Sequence, residues 1–138
     1  MVTYTPFNEL EVGQVFPDSS AYFQVTDALV EAYLAATGDT TTIALEEARR
    51  PAPPTLAAVY MLEALAHLQN PPGGIHTKQS FTFHRPAYVG DQLRTEVRIL
   101  DKYVKKRRNY VVMEAETRNQ NDELVTTAEI SRIWGKET

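Results

Sequence analysis

The sequence predicts an α+β protein in which an antiparallel sheet wraps a buried central helix, and three observations predict it. Four successive segments in the second half alternate apolar and polar residues and are separated by turn-like residues. Residues 56–68 (LAAVYMLEALAHL) form an apolar stretch without a clear polar face, the pattern of a short helix enclosed on its sides. Helical patterning comes before the strands instead of alternating with them, which gathers the helices on one side of the sheet.

The elements follow in order. Residues 11–24 contain Gly13 and Pro17 and read as an irregular lead-in, with a short strand around 22–25. Thr26 is a good N-cap and Asp27 favours the positive end of a helix. Leu29, Val30, Tyr33, Leu34 and Thr37 then recur at helical spacing, and Gly38 stops the helix. In RRPAPPT (residues 49–55), Pro51, Pro53 and Pro54 cannot continue a helix but introduce one, with Thr55 as its cap. Asn70 to Gly74 (NPPGG) end that second helix. The strands are expected at 79–85, 92–102, 109–118 and 124–134, with Phe81 and Phe83 opposite Ser80, Thr82 and His84 on the first. Turns at 86–90, 105–108 and 119–123 join them. A sheet wrapped round one helix is the hotdog architecture. Its open edge needs cover, so a dimer joined edge to edge is expected.

The 138 residues suit one domain, 1–138, and 43% hydrophobic with 23% charged residues is an ordinary globular balance. Without cysteine there is no disulfide, thiolate nucleophile or cysteine-built zinc site. His67, His76 and His84 lack ligand spacing, so no metal is expected. No apolar stretch reaches the roughly 18 residues of a membrane span and the start lacks signal character, so a cytoplasmic protein without membrane attachment is expected. The net charge of -4 is uneven: residues 1–70 carry -7 and residues 71–138 carry +3. The densest basic run is Lys102, Lys105, Lys106, Arg107 and Arg108. It reads as a solvated hairpin turn, or as a landing site for the phosphates of a nucleotide-bearing cofactor or for an acidic carrier protein. Nucleic acid is not the expected partner of an acidic chain.

Four segments carry a resemblance. They are Thr37-Gly38-Asp39 followed by residues 43–48, then Ala52-Pro53-Pro54-Thr55. Phe83-His84-Arg85-Pro86 with Val89-Gly90-Asp91-Gln92-Leu93 is the third, and residues 117–125 (TRNQNDELV) the fourth. In this order the chain resembles the MaoC-like family of (R)-specific enoyl-thioester hydratases and dehydratases over residues 10–134, particularly the branch similar to the dehydratase domain of fungal fatty acid synthase.

The resemblance implies a dyad of an aspartate and, five residues later, a histidine, which together activate water for addition to a trans-2-enoyl thioester. Asp39 matches the aspartate. Ala44 stands at the histidine position, and Thr41-Thr42 replace the usual Asn-Pro. A methyl group cannot replace a base of near-neutral pKa, and such a loss typically lowers the rate about 10²–10⁴-fold. Asp39 reads equally well as a turn residue after Gly38. The resemblance also implies that Pro54, Thr55, Leu56 and Tyr60, at the start of the central helix, border the acyl tunnel, where a backbone N–H polarises the thioester carbonyl. Thr41 and Thr42 would line the same site, and Lys105, Lys106, Arg107 and Arg108 would meet phosphates.

The reading preferred is a non-catalytic acyl-binding subunit, joined to a second hotdog that keeps the Asp–His dyad. An active homodimer with a site rebuilt around Asp39, helped by Thr41 or Thr42, or by His76 or His84, is the alternative. An acyl-CoA-binding sensor is a third reading. No cofactor is expected in any of them, because the acyl-CoA or acyl carrier protein substrate brings its own CoA or phosphopantetheine. Phe81, Phe83 and Trp134 read as core or dimer packing, and Glu63 and His67 as a pair on the helix or a contact with a partner.

Overall fold

Helix α1 spans Asp27–Thr37, as its end signals dictate. The Thr26 hydroxyl accepts a hydrogen bond from the Leu29 N–H at 3.1 Å. At the other end Gly38 takes φ 69°, a left-handed conformation that a side chain disfavours, and closes the last turn. Val30 is buried, and Leu29, Tyr33 and Leu34 pack against the core from the same face. The computed structural model describes residues 3–16, 22–39, 49–66 and 68–136.

The prolines start the second helix differently from expectation. A 3-10 turn, Pro54–Leu56, precedes α2, Ala57–Ala66, so Thr55 lies inside the turn and does not cap it. Pro53 occupies the cap, with φ -56°, and Pro54 is preset for the first turn, so the ring geometry organises the start without a side-chain cap. The Thr55 hydroxyl instead meets the Tyr33 hydroxyl at 2.6 Å, tying α2 to α1.

Strands β1 (Val15–Phe16), β2 (Phe23–Gln24), β3 (Ile75–Phe83), β4 (Gln92–Lys105), β5 (Arg108–Arg118) and β6 (Leu124–Trp134) form one antiparallel sheet. Its order is β1-β4-β5-β6-β3, with β2 also against β4. One face carries Leu93, Val97 and Ile99 of β4, Val111, Met113 and Ala115 of β5, and Ala128, Ile130 and Trp134 of β6. These share the core with Ala57, Tyr60, Met61 and Leu65 of α2, which makes the fold a hotdog. Burying each large aliphatic side chain there contributes about 1.5–3 kcal/mol. The sheet-facing side of α2 is buried as expected. Its far side is not, and Leu62 is 59% exposed there, because no described element covers it.

β3 begins earlier than its sequence pattern suggests and contains one irregularity. His76 pairs with Arg132 and Lys78 with Ser131, leaving Thr77 as an extra residue, a bulge. The Thr77 hydroxyl donates to the Ser131 carbonyl at 3.0 Å and satisfies it. β3 is a sheet edge and exposed along its length apart from half-buried Phe81. At the far end of β6 the Trp134 indole donates to the Thr5 carbonyl at 2.8 Å. Gly135 follows beneath the Pro71 and Pro72 carbonyls, where a Cβ would lie 2.1 Å and 2.4 Å from their oxygens. No described helix is long and apolar enough to cross a membrane.

Candidate ligand pocket

Two arginines fix the segment that opens the pocket. Arg50 reaches Glu31 at 2.6 Å and Asp27 at 3.4 Å on α1. Arg49 lies 4.2 Å over the Tyr88 ring and 3.5 Å from Asp91. The backbone adds Ala52 N–H to the Ala87 carbonyl at 2.7 Å and Val89 N–H to the Arg50 carbonyl at 2.8 Å. Asp91 is 1% exposed and holds this corner together. It accepts from the Tyr88 N–H at 2.9 Å and from the Gln120 amide at 2.9 Å, joining the 86–91 turn to the β5–β6 turn.

The result is a pocket of about 350 Å³ between the proline turn, α2 and the ends of β3 and β6. Pro51, Pro53 and Pro54 form one wall, Phe83 and Pro86 another, and Tyr60 and Thr126 supply polar atoms. The Tyr60 and Thr126 hydroxyls lie 2.6 Å apart. Burial pushes the Tyr60 phenol above its usual range, more than the Thr126 hydrogen bond lowers it, so Tyr60 stays protonated. His84 also lines the pocket, and its Nε2 lies 3.0 Å from the Thr127 hydroxyl. Arg85 on the rim pairs with Glu123, whose carboxyl is held below its ordinary range by the Asn119 amide and the Arg85 charge.

Of the residues singled out from the sequence, Pro54 and Tyr60 line this pocket. Leu56 is fully buried in the core, and Thr55 is engaged with Tyr33. Asp39 follows the α1 cap, its N–H bonded to the Leu34 carbonyl at 3.0 Å. Thr41, Thr42, Ala44 and His67 lie outside the described residues. His76 sits on β3 opposite Arg132, toward the other end of that strand from the pocket.

The basic run is not brought to the pocket within one chain. Lys105 and Arg108 pair at the β4–β5 turn, with Lys106 (φ 50°) and Arg107 (φ 65°) between them in left-handed conformations. That turn adjoins the Trp134 end of β6, whereas the pocket lies at Thr126. Eight residue steps along β6 separate the ends, about 26 Å at the usual rise. Arg107, Arg108 and Lys136 border their own groove of about 380 Å³, floored by Ile75 and Ile133.

Sequence reasoning missed Phe83, His84, Arg85 and Thr126 as walls of one pocket. The Phe83-His84-Arg85-Pro86 motif was a usable signal for three of them, whereas Thr126 is drawn in only by the β3–β6 pairing.

The fold is that of the hotdog hydratases and dehydratases. Residues 11–128 match the model of the FAS1-like dehydratase domain region, and the chain belongs to that family. A UPF0336 protein of Saccharopolyspora erythraea is 28% identical over 143 positions, covering 93% of this chain and 91% of that protein. Among solved structures, the R-hydratase PhaJ1 of Pseudomonas aeruginosa superposes with a TM-score of 0.80 at 27% identity, covering 96% of this chain and 86% of that one. A chain of the HadBC 3R-hydroxyacyl-ACP dehydratase complex of Mycobacterium tuberculosis gives 0.66 at 22% identity, with 90% and 96% covered, a likeness of fold.

Proposed function

We propose that this chain is the acyl-binding, non-catalytic member of a heteromeric hydratase or dehydratase acting on enoyl and 3-hydroxyacyl thioesters. The observation that carries it is a largely apolar pocket of about 350 Å³ in a chain with Ala44 at the position of the family histidine. A second hotdog that keeps the Asp–His dyad would take the proton from water as its oxygen adds to C3, and assist protonation at C2. This chain would hold the acyl group, with the CoA or carrier-protein phosphopantetheine leading out of the pocket. The long exposed edge of β3 supports a two-chain assembly. Antiparallel pairing along it sets the Ile75 end of one strand beside the Phe83 end of the other. In a pair of like chains, the basic groove of one would then adjoin the pocket of its neighbour.

A second reading has a specific observation in its favour: Asp39 is retained and His84 stands in the pocket wall. It makes the chain an active hydratase by itself. The two separate in one experiment, following the enoyl absorbance of crotonyl-CoA and longer trans-2-enoyl-CoAs. The purified chain alone is expected to leave it unchanged, and a mixture with a dyad-bearing hotdog to consume it. Turnover by the chain alone that is abolished by Asp39→Ala or His84→Ala establishes the second reading and sinks the first.

A further inference from the structure

The wall of the pocket holds a polar feature that an apolar chain alone does not need. Tyr60 and Thr126 are 4% and 1% exposed, both line the cavity, and their oxygens are 2.6 Å apart. Two hydroxyls carry two protons, and their mutual hydrogen bond uses one. Whichever of them donates, the other's proton has no acceptor among the described residues, and lone pairs remain on both oxygens. Phe23 packs against the Tyr60 ring, with centroids 5.9 Å apart and the planes tilted by 59°. Thr126 pairs with Thr117 at the last position before the β5–β6 register shifts, which sets its backbone against the sheet. The remaining donor and acceptors are therefore held in a setting where little else competes for them.

A ligand atom able both to accept and to donate complements this pair, and a saturated or unsaturated hydrocarbon does not. Water addition to an enoyl thioester creates one such group, the hydroxyl at C3. Resting on the acyl-thioester reading above, we propose that the Tyr60–Thr126 hydroxyl pair selects 3-hydroxyacyl thioesters over their non-hydroxylated counterparts. The pair positions the ligand and takes no part in bond making. A single added neutral hydrogen bond gives a preference of about five- to tenfold.

The test is calorimetric titration of the full chain with (R)-3-hydroxybutyryl-CoA and with butyryl-CoA, which share head group and length. The wild type is expected to bind the hydroxylated ligand about five- to tenfold more tightly. Tyr60→Phe and Thr126→Val each bring the ratio of the two affinities near one, and Thr126→Ser, which keeps the hydroxyl, retains the preference. Thermal melts identify a variant that has failed to fold. If Tyr60→Phe does so, Thr126→Val against Thr126→Ser decides the matter. Equal wild-type affinity for both ligands, or a preference unchanged in Thr126→Val, overturns the assignment while leaving thioester binding intact. Binding of neither ligand overturns the acyl-thioester reading itself, and this inference with it.

Discussion

Arg132 lies half-buried on the helix-facing side of the sheet. Its Nε is a buried polar atom without a hydrogen-bond partner among the described residues. Burial lowers its pKa, the signature of a charge with too little compensation. Replacing it with a long apolar side chain removes that penalty, so Arg132→Met is expected to stabilise the isolated chain by about 1 kcal/mol, roughly 3–5 °C in Tm. A thermal melt that moves downward would show that the guanidinium is compensated after all. His76 pairs with it across the strands. Burial, and then the Arg132 charge, hold His76 below the ordinary imidazole value of 6.5, against a Gln79 hydrogen bond that acts the other way. The unfolded chain thus takes up a proton that the folded chain resists. The His76 contribution is absent above the unfolded value and becomes destabilising as the pH falls below about 6.5. Urea melts at neutral and mildly acid pH are expected to show His76→Asn losing less stability on acidification than the wild type.

Among the elements, the corner centred on Asp91 matters most to the pocket. It joins the 49–52 segment, the 86–91 turn and the β5–β6 turn through Arg49, Tyr88 and Gln120. Asp91→Ala leaves a backbone N–H and an amide without their acceptor, so a loss of about 2–3 kcal/mol is expected in a denaturant titration. The pocket wall carried by Pro51–Pro54 should loosen with it. From sequence, Asp91 stood only beside the 86–90 turn, within the third resemblance segment, because every partner of Asp91 beyond Tyr88 comes from another part of the chain. Elements with local signals were legible: Thr26 and Gly38 bound α1, and the turn residues 119–123 and Gly135 bound β6. The start of β3 was not. Period-two counting puts Ile75 and Thr77 on the face of Phe81, whereas the bulge places His76, still exposed, on that face opposite Arg132. The pocket was half legible for the same reason: Pro54 and Tyr60 belong to a contiguous motif, but Thr126 reaches them only through strand pairing.

For the whole molecule, one chain leaves its pocket and its densest basic cluster at opposite ends of the sheet. In the two-chain assembly proposed above, antiparallel copies would bring the two together. If Lys106 and Arg107 meet the phosphates of a thioester seated in the neighbouring chain, Lys106→Glu with Arg107→Glu is expected to weaken CoA-thioester binding about 10-fold at low salt and to flatten its salt dependence. Titration at two ionic strengths reads both effects, and unchanged affinity returns the turn to an ordinary solvated hairpin. The extra residue at Thr77 bears on how such an assembly ends. A visiting strand can run straight beside β3 only along 78–83, and beyond that it meets a kink. A copy that slips out of register therefore finds no uninterrupted template on which a third could build. In the two-chain assembly proposed above, the irregularity would favour closure over growth into a ribbon.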